Sequence, residues 1–450
     1  MAILAVACGG QPSPTVPPAP PPVVAAKVSD APTAAKPAEV KPVAPALAAT
    51  KPAPENLAET KPSDAKPALP PTTTTAPAAK PSSGRRFVID AAGSKIALKT
   101  REQFAGIAAP NDAVLETRAI SGAIVVDADG KIGGDSKVTV QTTQLASDEP
   151  DRDAYVQQFT LETIKFPTAD FAPREFKGLV SPVPTNGPVK GQIVGDLTVH
   201  GVTKPVTFDF DGTLQGDSFK GTARGETKLS DFGMTVPSVA ILISVEDKVR
   251  FEIELSARVG GTEAAAATKP QGGARRYAIV ADQSTVRLRV TERLAGETID
   301  NEAILTTKAV NGAITIGGDG SVAGGSGFSV DLTTLRSDVG MRDAFIKDST
   351  LQVRRFPNAT FTPREFRGLI AAPPTSGAVK VQLLGDMDVH GVSRPVILNV
   401  EGTIEGNTFK GRAFGALRIT DFGMELPRVP RVAKIEDLAR LEMEIVATAT

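Results

Sequence analysis

The chain has 450 residues, enough for two or three domains with cores of their own. Its 50 Lys and Arg balance 51 Asp and Glu, which removes any reason to expect nucleic acid or another polyanion as a partner. One cysteine and two histidines exclude an intrachain disulfide and a cysteine metal cage, and the sequence points to no metal and no cofactor.

The first element is the apolar opening "MAILAVACGG", which resembles the end of a lipoprotein signal peptide, with Cys8 as the lipidation site. Ala5 stands where leucine is usual, and only seven residues precede Cys8, so the true start is expected upstream. Residues 1–8 are thus read as a partial signal peptide that places the protein in the bacterial cell envelope, membrane-attached through an N-terminal lipid anchor. Residues 9–84 hold 19 of the 36 prolines among Ala, Lys and Thr. Such a composition cannot bury enough apolar surface to fold, so it is expected to be a disordered tether. No run approaches the roughly 20 apolar residues of a membrane-spanning helix.

Beyond the tether the sequence repeats at a constant offset of 190 residues. "RRFVIDAAGSKIALKT" from Arg85 answers to "RRYAIVADQSTVRLRV" from Arg275, and "KFPTADFAPREFKGL" from Lys165 to "RFPNATFTPREFRGL" from Arg355. Two tandem domains follow, 85–258 and 275–450, joined by the Gly- and Ala-rich linker 259–274.

Inside each copy the apolar residues recur at every second place. Val206, Phe208 and Phe210 alternate with Thr207, Asp209 and Asp211, and Phe251 and Ile253 with Arg250, Glu252 and Glu254. The pattern extends to Ile96 and Leu98, Ile124 and Val126, and Val138 and Val140; in the second copy to Val396, Leu398 and Val400, and to Leu441 and Met443. Period two with one wet face means strands, and turn signals such as "DADGK" separate them. The expected fold is all-β: two tandem antiparallel barrels of about eight strands, each with one short helix, in "RDAYVQQF" and "RDAFIKDS". The apolar faces must close around their own side chains or around a guest, and periodicity leaves that choice open.

The order of "FVID....S.I.L", "ISGAIVVD", "RD" before a short helix, "KFP...F", "GDLTVHGVTKPV" and "SDFG" resembles the YceI family, in both copies. The resemblance implies periplasmic lipocalin-like barrels that bind polyisoprenoids or other long amphiphilic lipids, without enzymatic activity. It also implies that the inward residues named above, from Ile96 to Met443, line a lipid cavity. Where that family often has His-Ser after the first strand, this chain has Gly93-Ser94 and Gln283-Ser284, which alters the expected headgroup contacts.

His200 and His390, the only histidines, each precede a glycine and stand between two strand patterns; they are expected to pin a hairpin corner or to meet a ligand headgroup. Arg152 with Asp153, and Arg342 with Asp343, either order the helix as local ion pairs or meet an anionic headgroup. Ser94 and Ser230 lack a nucleophile-elbow pattern, and "DFG" at Asp231 lacks the other kinase elements, so Asp231 is expected to accept hydrogen bonds in a turn. The competing reading is an interaction module with side-chain-filled barrels whose outer faces bind a protein or glycan. Phe208 against Leu398, and Phe251 against Leu441, predict unequal ligand preferences in the two copies.

Overall fold

The computed structural model describes residues 84–240, 242–260, 273–368 and 374–450. Cys8, the tether up to residue 83 and the middle of the linker, 261–272, lie outside the described residues.

The first barrel comprises β1 (Arg85–Ile89), β2 (Lys95–Phe104), β3 (Asn111–Thr117), β4 (Ile120–Val126), β5 (Lys137–Gln141), α1 (Pro150–Tyr155), β6 (Thr168–Lys177), β7 (Asn186–Val199), β8 (Val202–Gln215), β9 (Ser218–Lys228), β10 (Leu242–Val245) and β11 (Lys248–Val259). All pairings are antiparallel in the order β1-β4-β5-β6-β7-β8-β9-β11, and β11 closes on β1. β2 pairs with β11 and with β3, so β1–β2 and β3–β4 act as two long bent strands and the barrel has eight staves. The bend between β1 and β2 is fixed by Ser94, whose buried hydroxyl donates to the Asp90 carbonyl (2.8 Å) and accepts from the Ser256 amide (3.0 Å). Ser94 is therefore a staple between the bend and β11.

The second barrel repeats this with β12 (Arg275–Ile279), β13 (Thr285–Leu294), β14 (Asn301–Thr307), β15 (Val310–Ile316), β16 (Gly327–Asp331), α2 (Gly340–Phe345), β17 (Asn358–Arg367), β18 (Ser376–Val389), β19 (Val392–Glu405), β20 (Thr408–Leu417) and β21 (Val432–Ala449). One long strand, β21, replaces the pair β10 and β11, with two irregularities in its register against β13.

The helix expected after Asp151 is present, with Pro150 in its first turn, and it runs on into a wider π turn, Val156–Thr160. The histidine corners are two-residue hairpin turns. His200 and Gly201 both have positive φ, 53° and 74°, the pattern of a type I′ turn whose twist matches the flanking strands. A Cβ on Gly201 would lie 2.9 Å from the Phe166 ring, which itself packs 4.5 Å from the His200 imidazole, so only glycine fits there. The "SDFG" stretch forms a 3-10 turn, Ser230–Phe232, ending in left-handed Gly233. The carboxylate that holds this turn is Asp247, which accepts from the Ser230 amide at 2.9 Å, in place of the expected Asp231. The reason is the β-hairpin connection: Asp247 stands just before β11, directly beside the turn, and Asp437 serves Thr420 in the same way.

Candidate functional site: two apolar barrel cavities

Each barrel encloses a cavity, of about 250 Å³ in the first and about 280 Å³ in the second. In the first barrel it runs from Leu179 and Val183, beside the β6–β7 connection, to Leu145, Leu161 and Phe232 near the histidine corner. Of the predicted lining residues, Ile96, Leu98, Ile124, Val126, Val138, Val140, Phe208, Phe210, Phe251 and Ile253 form its wall. Leu398, Val400, Leu441 and Met443 do so in the second barrel. Val206 and Val396 are buried in the packed core but stand outside both walls. They stand opposite Gly195 and Gly385 and belong to the same core clusters as Leu197 and Phe232, and Met387 and Phe422, which line the cavities at this end in their place.

The sequence reading missed Phe171, Phe176, Ile193, Leu197 and Phe232, all of which line the first cavity. The β6 pair was hidden because the register shifts between Pro173 and Glu175, so Phe171 and Phe176 are five residues apart yet share the inner face. Phe232 belongs to the 3-10 turn, where period two does not apply.

The walls are almost wholly apolar. Polar side chains along the first are Thr142, Thr222 and Thr227, and along the second Glu292, Thr350, Thr360 and Arg418. In the first barrel an edge-to-face chain of rings, Phe171 to Phe208 (5.3 Å) and Phe208 to Phe251 (5.5 Å), crosses the interior. Gly225 makes room for it, since a Cβ there would lie 2.7 Å from Phe208. The second barrel has Leu398 and Leu441 in place of two of those rings, and Phe328 stacks on Phe361 instead.

Near the corner end, Arg152 donates to Glu102 (2.9 Å) and to Asp148 (2.7 Å), and Arg342 to Glu292 (2.7 Å). Both guanidinium groups are thus engaged by carboxylates other than the neighbouring Asp153 and Asp343. Asp153 accepts from the Ser147 amide (2.8 Å) and hydroxyl (2.7 Å), and Asp343 from Ser337 likewise. His200 Nε2 lies 2.8 Å from Glu162 Oε2. Lys165, and after it His200, hold the Glu162 carboxyl below its ordinary range, while partial burial opposes them. Gln352 replaces Glu162 in the second copy, and His390 Nε2 is buried with no hydrogen-bond partner among the described residues.

Burial pushes the Asp153 carboxyl above its ordinary value, against the hydrogen bonds from Ser147. A raised folded-state value favours the protonated form, so this contribution to stability is complete below the unfolded value and is lost as pH rises through the folded one. Asp153→Asn keeps the acceptor oxygen without the charge. It is expected to raise the melting temperature at pH 7 by a few degrees, with the gain shrinking towards pH 4; a fall at pH 7 would show that the charge itself is needed.

The YceI-like domain model matches residues 87–257 and 277–447. Protein YceI of Escherichia coli O157:H7 is 34% identical over 122 residues, which make up 24% of this chain and 60% of that protein. A UPF0312 protein of Pseudomonas aeruginosa strain LESB58 is 34% identical over 125 residues, again 24% of this chain and 60% of the relative. The chain therefore spans about 60% of the length of these relatives. Among solved structures, a polyisoprenoid binding domain from Saccharophagus degradans, implicated in plant cell wall breakdown, aligns with a TM-score of 0.32 at 13% identity, covering 39% of this chain and 98% of that one. BcnA from Burkholderia cenocepacia aligns with a TM-score of 0.30 at 15% identity, covering 38% and 99%. Two matches to one domain model, each coinciding with one closed barrel and together taking up most of the sequence, mean that the chain belongs to the YceI-like family.

Proposed function

We propose that the protein binds a long-chain amphiphile, an isoprenoid or fatty lipid, in each barrel and sequesters or carries it in the bacterial cell envelope without chemical conversion. The observation that carries this reading is the pair of apolar cavities. An empty cavity destabilises a fold by about 24 cal/mol per Å³, so voids of this size would cost roughly 6 to 7 kcal/mol each. That is a large part of the 5–15 kcal/mol by which a domain is typically stable. A guest that fills the space removes the cost, whereas a barrel serving only as a scaffold is better packed solid. The envelope location rests on the lipobox-like Cys8, the Pro-rich tether and the family resemblance.

Recognition by such walls is non-directional. Each further buried CH₂ is expected to contribute about 0.8 kcal/mol, roughly fourfold in affinity, until the cavity is full. Competition binding with a saturated fatty acid series and a prenyl alcohol series tests this. A steady gain with chain length and little stereochemical preference supports the proposal, and no binding by any member defeats it in favour of the interaction module.

A further inference from the structure

On the outer wall of the second barrel stand side chains that an isolated barrel does not need. Phe414, Ala416 and Leu438 face away from the cavity, alternating with the lining residues Ala413, Leu417 and Ala439, yet they are only 7%, 3% and 5% exposed. The same positions in the first barrel are Arg224, Glu226 and Lys248, and there Arg224 and Glu226 are exposed. Ile397 is likewise buried where the first barrel has exposed Thr207. Since the duplication gave both walls the same backbone, the difference lies in what covers them.

The cover is the cap segment of the first barrel, α1 and its π turn. Ala154, Tyr155 and Phe159 pack in one apolar cluster with Phe414, Ala416 and Leu438. The β19–β20 ladder stops at Asn399–Phe414, and beyond it Gln158 completes the free edge of β19: its amide donates to the Pro395 carbonyl (3.2 Å) and accepts from the Ile397 amide (3.3 Å). Asp151 pairs with Arg289 (2.9 Å), and the Arg418 guanidinium lies 4.6 Å from the Phe159 ring centre. Ala154 and Tyr155 are matched by Ala344 and Phe345 in α2, but Met341, Asp348 and Ser349 replace Asp151, Gln158 and Phe159, and Met341 is 75% exposed.

We propose that this outer wall is a dedicated seat for the cap of the first barrel, so that the chain acts as a fixed pair with one clamped cap and one free cap. Both caps run on into their cavity walls, through Leu161 in the first barrel and through Ile346, Thr350 and Leu351 in the second. Clamping therefore stiffens the first cavity and leaves the second able to open.

The test uses the whole chain with a protease site placed within 261–272 and needs no guest. After cleavage the two halves are expected to co-elute in gel filtration. Hydrogen exchange over 150–163 is expected to be slower than over 340–353 by at least about tenfold. Phe414→Arg, Ala416→Glu and Leu438→Lys together install the first barrel's residues on the same strand positions. This triple variant is expected to let the cleaved halves separate and to bring the two exchange rates together. Gln158→Asp with Phe159→Ser, made on the opposing surface, should do the same and serves if the first variant fails to fold. Separation of the unsubstituted halves after cleavage, or equal exchange of the two caps in the parent chain, overturns the proposal.

Discussion

A chain carrying Ala413→Phe is expected to take up one apolar guest where the parent takes up two. Ala413 is buried on β20 between Val400 and Met443, with its side chain on the cavity wall. A phenyl ring there projects into the space a guest would occupy. Overpacking costs about 1–3 kcal/mol where a core is already full, but the second cavity gives the ring room, so the melting temperature should move little. Ala223→Phe makes the matching change in the first barrel, and the double variant is expected to bind nothing. Titration with one fluorescent fatty acid reads the stoichiometry. Two guests retained in the single variant would place the binding site outside the second cavity.

The second large effect concerns the ion pair under α1. Glu102 is 5% exposed, and its partner Arg152 joins it from the cap at 2.9 Å. Arg152→Met leaves that carboxylate buried without its cation. Removal of one member of a buried pair costs about 3–5 kcal/mol, against near neutrality when both are replaced by apolar residues of similar size. At roughly 2–4 °C per kcal/mol for a domain of this length, the single variant should melt some 10 °C lower, and Glu102→Met with Arg152→Met should recover most of that. Glu292 and Arg342, 2.7 Å apart, should behave alike. If the double variant melts as low as the single one, the loss comes from packing and not from the stranded charge.

Much of the fold was legible because the duplication shows each pattern twice. Alternation through Phe208, Phe210, Phe251 and Ile253 announced strands with one apolar face, and the "HG" pairs announced their corners. The cavity was not legible, since a filled barrel and a hollow one have the same period, and only the summed side-chain volumes separate them. Phe171 and Phe176 escaped because a register shift breaks the count at Pro173. The seat on the second barrel left a signal that went unread. In "VILNV" and "AFGAL" the alternation fails, with Ile397, Phe414 and Ala416 apolar where "VTFDF" and "ARGET" are polar. A break in period on one copy alone marks a surface with a partner, but the identity of that partner lies in tertiary structure.

The most direct test of two guest-bearing barrels is native mass spectrometry of residues 84–450, purified from a bacterial envelope, followed by organic extraction and lipid analysis. Two bound isoprenoid or fatty species per chain, recovered in the extract, are expected. Protein that arrives empty and stays empty when offered polyprenyl and fatty ligands would contradict this expectation.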